Sequence, residues 1–189
     1  MVHADASSFA SNVTKEEAYR QVLEQAEGLF IDQRNWFLPL LDPISNLANT
    51  ASLLWHAYKS LPSPSNQVNW AGFYTLDPST PQQLILGPFQ GKVACQTIAL
   101  GRGVCGTAAA DRRTQLVPDV HAFPGHIACD GDTRSEIVVP VLASPGDQDG
   151  DQRLVAVLDV DCIARDGFDD VDREWLEKLA ALVGRSCDW

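Results

Sequence analysis

Three of the five cysteines fall in segments where a thiol is accessible for chemistry. Cys95, Cys105 and Cys129 lie in glycine-rich or irregular stretches, whereas Cys162 follows the last predicted strand and Cys187 lies in the predicted final helix. A single loop cysteine is most often a small, half-buried filler. Three together favour a site, because thiolates act as nucleophiles, metal ligands and redox groups.

The surroundings of two of these cysteines suggest how they are activated. Cys105 follows Gly101-Arg102-Gly103 and comes just before the small-residue segment 107–111, which suits a short helix. A helix N-terminus offers unpaired N–H groups and a favourable dipole, so we expect a lowered pKa for the Cys105 thiol. Cys129 lies in the segment GHIACD, in which His126 is an electropositive neighbour if the loop folds back. Otherwise His121 and His126 are ordinary surface loop histidines.

Acidic residues at two strand ends suggest a polar pocket. Glu136 begins one apolar strand, and Asp159 and Asp161 close another with the two-residue spacing that places both on one face. One acidic residue at a strand end is normally solvated. Two beside a pocket can bind an ammonium group or hold a proton for general acid catalysis, especially where burial raises a pKa.

Two aromatic residues share a face of a predicted strand. Trp70 and Tyr74 are four residues apart in the segment NWAGFY. Core packing is their default role, but beside an anionic cluster they also suit an apolar thioether or sulfonium group.

Other chemistries fit these residue types less well. A zinc site would draw on the three loop cysteines with His121 and His126, but no pair shows the close spacing of structural zinc ligands. No cysteine carries the local signature of a cysteine protease. The glycines at 101, 103 and 106 lack the strand–helix–strand setting of a nucleotide site. We therefore predict no bound metal, and the residues alone leave the role of the three thiols open.

Composition limits the classes of partner. The chain has 189 residues, 45% hydrophobic and 21% charged, which predicts one globular domain. A formal net charge of -11 argues against nucleic acid and anionic lipid as partners. The apolar runs are too short to span a bilayer, and we find no export signal, so we expect a cytoplasmic protein with reduced structural thiols.

Periodicity predicts the elements that position these residues. Residues 1–13 are expected to be a flexible tail and 14–189 a single domain. A helix begins after the capping-box sequence at Thr14, a second spans about 44–58, and a last one begins near Asp169. Strands are predicted at 68–76, 83–89, 97–100, 115–117, 137–143 and 154–160. This pattern indicates an α+β fold: a mostly antiparallel sheet of about six strands, the terminal helices on one face and a loop-built pocket on the other.

Five blocks of sequence resemble the free methionine-R-sulfoxide reductases. They are NWAGFY at 69–74, LGPFQGKVACQTIALGRGVCGTAA at 86–109, DVHAFPGHIACD at 119–130, SEIVVPV at 135–141 and VLDVD at 157–161. The resemblance implies a GAF-like fold and free, not protein-bound, methionine sulfoxide as substrate. It also implies no bound cofactor, with thioredoxin, thioredoxin reductase and NADPH as the source of electrons. A homodimer is common in the family, but the sequence shows no distinctive interface.

The same resemblance implies roles for individual residues. Cys129 falls on the cysteine that attacks the sulfoxide, Cys95 on one that resolves it, and Cys105 on a third that is an alternative in either role. The remaining assignments place Glu136 and Asp161 at the sulfoxide oxygen, Asp159 at the substrate ammonium, and Trp70 with Tyr74 around the methyl group.

Two rival functions remain open from the sequence. One is a GAF-like sensor that binds a small ligand without turning it over. The other is a zinc-stabilised interaction domain, which would hold metal and unfold with a chelator.

Overall fold

A computed structural model describes residues 9, 13–31, 44–127, 129–143 and 152–189. Most of the predicted tail lies outside the described residues, apart from Phe9 and Val13, which pack against the helix-side core. The described elements comprise four α-helices and six strands. The helices are α1 (Lys15–Phe30), α2 (Ile44–Ser60), α3 (Gly103–Asp111) and α4 (Asp170–Ser186). The strands are β1 (Val68–Leu76), β2 (Gln83–Gly91), β3 (Thr97–Ala99), β4 (Gln115–Val117), β5 (Ser135–Ala143) and β6 (Arg153–Cys162).

The strands form one sheet in the order β3-β2-β1-β6-β5-β4, and each neighbouring pair is antiparallel. The register sets the acidic residues next to the aromatic ones. Asp161 on β6 pairs with Trp70 on β1 and with Glu136 on β5. Because side chains alternate between faces, Asp159 projects on the same side as Asp161.

Side-chain alternation divides the core between the two faces of the sheet. Ile137, Val139 and Val141 of β5 join the larger core with α1, α2 and α4, whereas Val138 joins a smaller core with α3. The terminal helices therefore cover one face, and α3 with the loops covers the other.

Capping and a buried polar network fix the helix layer. The Thr14–Glu17 capping box is present at α1, and Asp169 caps α4. Asp172 on α4 is fully buried, accepts a 2.7 Å hydrogen bond from the Tyr19 hydroxyl, and forms a 2.7 Å ion pair with Lys15. These contacts tie α1 to α4, since a buried carboxylate must keep its partners.

A glycine permits the close approach of α3 to the sheet. A Cβ on Gly106 would lie 2.3 Å from the Ala99 carbonyl oxygen, which is inside any real contact distance. Gly106 therefore determines how closely α3, with Cys105, lies against β3.

The predicted fold class is confirmed, and the corrections are local. The strands β2, β5 and β6 extend one to two residues further than predicted at one or both ends. Cys187 was expected within the final helix, but it is the C-cap residue that follows the last helical turn. Among the described residues, no helix has both the length and the apolarity that crossing a bilayer requires.

Candidate thiol and carboxylate site

A pocket lies between α3 and the sheet, at the end where Trp70 and Asp161 are paired. It is closed on one side by the loop that precedes β5. Seven of the eight site residues predicted from sequence line it, and they are Trp70, Tyr74, Cys105, Cys129, Glu136, Asp159 and Asp161. The eighth, Cys95, is joined to the pocket through a disulfide bond to Cys129.

The Cys95–Cys129 disulfide lies at the rim of the pocket. It joins the loop between β2 and β3 to the loop before β5, and the two Cα atoms are 5.5 Å apart. Both residues are half-buried, and Cys129 also lines the pocket. Two thiols that are 34 residues apart in the sequence are therefore within disulfide range.

Cys105 lies in the first turn of α3, because the helix begins at Gly103, four residues earlier than predicted. Its environment also differs from the expected one. The residue is 5% exposed, and its Sγ donates a 3.8 Å hydrogen bond to Oε1 of Glu136. Burial, reinforced by the charges of Asp159 and Glu136, raises the pKa of the thiol well above its usual range. The expectation of a lowered pKa at Cys105 is wrong, because desolvation and two carboxylates outweigh the helix dipole.

Three buried carboxyl groups share this pocket with Cys105. Burial, with Asp159 and Asp161 as neighbouring charges, raises the pKa of Glu136 well above its usual range. Burial raises the pKa of Asp159 to about 7, and burial with the charge of Asp159 raises that of Asp161. Carboxyl groups in this environment retain protons close to neutral pH, which is the condition for general acid catalysis.

The acidic cluster forms no ion pair in the described part of the chain, although Arg102 also lines the pocket. Among the described residues, no lysine or arginine forms an ion pair with Glu136, Asp159 or Asp161. One carboxylate oxygen of Asp159 is buried without a hydrogen-bond donor. An unsatisfied buried acceptor is costly, so this position suits a donor supplied by a ligand.

Stacked aromatic rings form one wall of the pocket. The Trp70 ring stacks on Tyr74 with a centroid distance of 5.8 Å and on Phe89 at 5.3 Å. The indole N–H of Trp70 donates a 3.1 Å hydrogen bond to the carbonyl oxygen of Lys92. The indole is thus held at a fixed orientation beside the carboxyl groups.

His126 does not provide the positive charge that the sequence suggested for Cys129. His126 lines the pocket with Cys129, and its ring lies 6.3 Å from that of His121. Burial and the neighbouring His121 lower the pKa of His126, which favours the neutral imidazole at neutral pH. The electropositive neighbour that we expected for Cys129 is therefore not His126.

The five-residue zinc set considered from sequence is not assembled, because the sulfurs of Cys95 and Cys129 are bonded to each other. Within the described part of the chain, the metal-ligand types that lie close together are instead Cys105, Glu136 and Asp159. Their ligand atoms lie within 4.8 Å of one another.

Sequence reasoning missed a group of polar residues beside the two loop cysteines. Asn69, Lys92, Asp130 and Thr133 are linked by hydrogen bonds and ion pairs at this rim. The available signal was their position, since Asn69 precedes Trp70, Asp130 follows Cys129, and Lys92 lies three residues before Cys95.

The fold and the pocket define a GAF domain with a thiol and carboxylate site. The model of the GAF domain family matches residues 16–187. The chain is 52% identical to the free methionine-R-sulfoxide reductase of Saccharomyces cerevisiae, over 98% of this chain and 94% of that protein. It is 45% identical to the free methionine-R-sulfoxide reductase of Escherichia coli, over 74% of each.

A solved structure shows the same relation. The X-ray structure of the free methionine-R-sulfoxide reductase from Neisseria meningitidis in complex with its substrate superimposes with a TM-score of 0.78. It is 39% identical, over 95% of each chain. The chain belongs to the free methionine-R-sulfoxide reductases, a family of enzymes within the GAF domains.

Proposed function

We propose that this enzyme reduces the R-sulfoxide of free methionine to methionine by a thiol mechanism and is recycled by thioredoxin. The observation that carries the proposal is a buried carboxyl pocket with a disulfide-forming cysteine pair at its rim. Relatives at 52% and 45% identity are named for this activity.

The pocket has a complementary group for each part of a free amino acid sulfoxide. The unsatisfied oxygen of Asp159 is a partner for the substrate ammonium group. The stacked Trp70 and Tyr74 rings offer an apolar wall for the S-methyl group. Glu136 and Asp161 are left to face the sulfoxide oxygen. Recognition of the ammonium group also explains a preference for the free amino acid, since a peptide-bonded methionine has no such group.

The reaction requires a nucleophile and a proton donor. In our mechanism the Cys129 sulfur attacks the sulfoxide sulfur, while Glu136 or Asp161 delivers a proton to the sulfoxide oxygen. The resulting hydroxyl group passes from the substrate sulfur to the Cys129 sulfur as the bond between the two sulfurs breaks, so methionine leaves and Cys129 becomes a sulfenic acid. The Cys95 thiol then condenses with the sulfenic acid, which releases water and forms the Cys95–Cys129 disulfide. A dithiol protein supplies the two electrons that restore both thiols.

The surroundings of the thiols favour Cys129 over Cys105 as the nucleophile. Cys105 is buried among carboxyl groups that hold it in the thiol form. Cys129 is half-buried at the rim and already lies in disulfide range of Cys95. We assign Cys105 the role of a neutral hydrogen-bond donor to Glu136, which helps to orient that acid.

A protein reductant needs access to the disulfide. Val93, which lies two residues before Cys95, is 84% exposed, and Ile127, which lies two residues before Cys129, is 41% exposed. Exposed apolar residues beside both cysteines suit a protein partner that covers the rim while its thiolate attacks the disulfide.

A coupled assay tests the proposal. Purified enzyme is supplied with thioredoxin, thioredoxin reductase, NADPH and free methionine-R-sulfoxide, and NADPH oxidation is followed. We expect turnover in the wild type, none in Cys129→Ser, and one equivalent of methionine per enzyme in Cys95→Ser. Full turnover in Cys129→Ser would show that Cys129 is not the nucleophile and would favour Cys105 in that role, while the activity itself would stand. Tight binding of the sulfoxide with no methionine formed would favour a sensor.

A second assay separates the docking of thioredoxin at the disulfide from the reduction of the sulfoxide. Val93→Ser should raise the KM for thioredoxin and leave turnover with dithiothreitol unchanged. Ile44→Ser is the control, since Ile44 is also exposed but lies at the start of α2 in the helix layer. Equal thioredoxin KM values in both variants would exclude Val93 from the docking surface.

A further inference from the structure

A cluster of polar contacts joins the two loops that carry the disulfide cysteines. The Asn69 amide on β1 donates to the Asp130 carboxylate and to the Thr133 hydroxyl, each at 3.1 Å. Lys92, at the end of β2, forms ion pairs of 3.3 Å with Asp130 and 2.6 Å with Asp132. We call Asn69, Lys92 and Asp130 the rim latch.

The latch residues Lys92 and Asp130 are close to the two cysteines in the sequence. Asp130 is the residue after Cys129, and Lys92 begins the segment that leads to Cys95. The carbonyl oxygen of Lys92 is held by the Trp70 indole, and a hydrogen bond from the Asp132 backbone N–H constrains the Asp130 carboxylate. Both loops are therefore anchored to the strands β1 and β2 by contacts that do not involve sulfur.

From these contacts we infer that Asn69, Lys92 and Asp130 are positioning residues that keep the Cys129 loop beside Cys95 while the disulfide is open. The inference rests on the proposed function, in which the rim cysteines cycle between dithiol and disulfide. Without the latch, closing the bond would first require two mobile loops to be ordered.

The parts of the latch differ in strength. The Lys92 side chain is 64% exposed, so its ion pairs are screened by salt and contribute weakly. The contact between Asn69 and Asp130 is part-buried and places a donor on a charged acceptor, which is a stronger class of hydrogen bond. The pKa of Asp130 is lowered by the backbone of Asp132, by Asn69 and by Lys92, so the acceptor is charged at neutral pH. We expect Asn69 to contribute more than Lys92.

An equilibrium measurement tests the latch without using the sulfoxide. The reduced protein is placed in glutathione redox buffers at neutral pH, and the fraction of Cys95–Cys129 disulfide gives the effective concentration of the two thiols. In this exchange, oxidised glutathione takes two electrons from the cysteine pair and leaves as two thiols. Asn69→Asp removes the donor and adds a like charge beside Asp130 at almost unchanged volume. We expect the effective concentration to fall about tenfold.

A matched substitution provides the control. Asn66→Asp makes the same chemical change three residues earlier, at an exposed position outside the latch. It should leave the effective concentration at the wild-type value. If Asn69→Asp also left it unchanged, or if both variants lowered it equally, the latch would be overturned.

Two further measurements test the latch even if Asn69→Asp does not fold. Lys92→Ala should lower the effective concentration by a factor of about three, and Lys92→Arg should restore it. Raising the salt concentration should lower the wild-type value and have little effect on Lys92→Ala. A salt response that is identical in both proteins would contradict the role of Lys92. If the variants lowered the effective concentration as expected but the wild type did not turn over the sulfoxide, the proposed function would be refuted and the inference about the latch would stand.

Discussion

Replacing Asp159 with Asn should make the protein more stable at alkaline pH and less able to bind its substrate. Burial raises the pKa of Asp159 from 3.8 to about 7. One pKa unit corresponds to about 1.4 kcal/mol, so the ionised carboxylate destabilises the fold by about 4 kcal/mol when both states are ionised. The measured gain should be about 2–4 kcal/mol, because Glu136 and Asp161 ionise more readily once the charge of Asp159 is removed.

The direction of the pH dependence follows from the raised pKa. Below pH 4 the carboxyl is protonated in both states, and the contribution to stability is fully present. As the pH rises from about 4 to about 7, the carboxyl is ionised in the unfolded chain but keeps its proton in the folded protein, and this contribution is lost. The wild-type free energy of unfolding should therefore fall up to about pH 7, and Asp159→Asn should flatten that fall.

Urea denaturation of the disulfide form at pH 5, 6, 7 and 8 measures this effect. Asp111→Asn, at an exposed position at the end of α3, is the control and should follow the wild-type curve. The reasoning is refuted if Asp159→Asn is less stable than the wild type at pH 8, or if both have the same pH dependence. In Asp159→Asn, the KM for the sulfoxide should rise while kcat changes less, because the proposed function assigns Asp159 to the substrate ammonium group.

Three other outcomes follow from the packing and the charges. In thermal or urea denaturation, Gly106→Ala should lower the free energy of unfolding by about 2 kcal/mol, because the new Cβ would lie 2.3 Å from a backbone oxygen. Gly131→Ala is the control and should have little effect, since the space around Gly131 is open. Asp172→Asn should lower the free energy of unfolding by about 1–3 kcal/mol, because its partners, the half-buried Lys15 and the buried Tyr19, are left poorly satisfied. Glu174→Gln, in an exposed pair, should lower it by less than about 0.5 kcal/mol. In the reduced protein, Cys105 should react with iodoacetamide at pH 7 at least about tenfold more slowly than Cys95 and Cys129, as measured by peptide mass analysis. Equal rates would contradict the raised pKa of Cys105.

Much of the fold was predictable because its signals are local. The Thr14–Glu17 capping box marks where α1 begins, and the apolar residues at three- and four-residue spacing define α2 and α4. Strand ends were less accurate, since β5 begins at Ser135 and β6 extends to Cys162. These end residues pair through the sheet register, and register depends on partners that are distant in sequence.

The membership of the site was also accessible from sequence, but its electrostatics were not. Motif blocks indicated the cysteines, carboxylates and aromatic residues that the structure brings to one pocket. Nothing in a single sequence shows that Cys105 lies against two carboxyl groups from separate strands. For the same reason the latch was missed, because Asn69 and Asp130 are 61 residues apart and neither is unusual in its local segment.

The position of Cys105 shows which force controls a thiol in this pocket. A helix N-terminus favours a nearby anion by about 0.3–1 kcal/mol at exposed sites and by at most ~2 kcal/mol when partly buried. Full burial beside like charges shifts a pKa by up to about 3–5 units, which corresponds to a larger energy than the helix dipole provides. The dipole therefore cannot keep Cys105 ionised while Glu136 and Asp159 share its cavity. A cysteine at the rim avoids both penalties and still lines the pocket, which supports the proposal that Cys129 attacks the sulfoxide while the buried acids supply the proton.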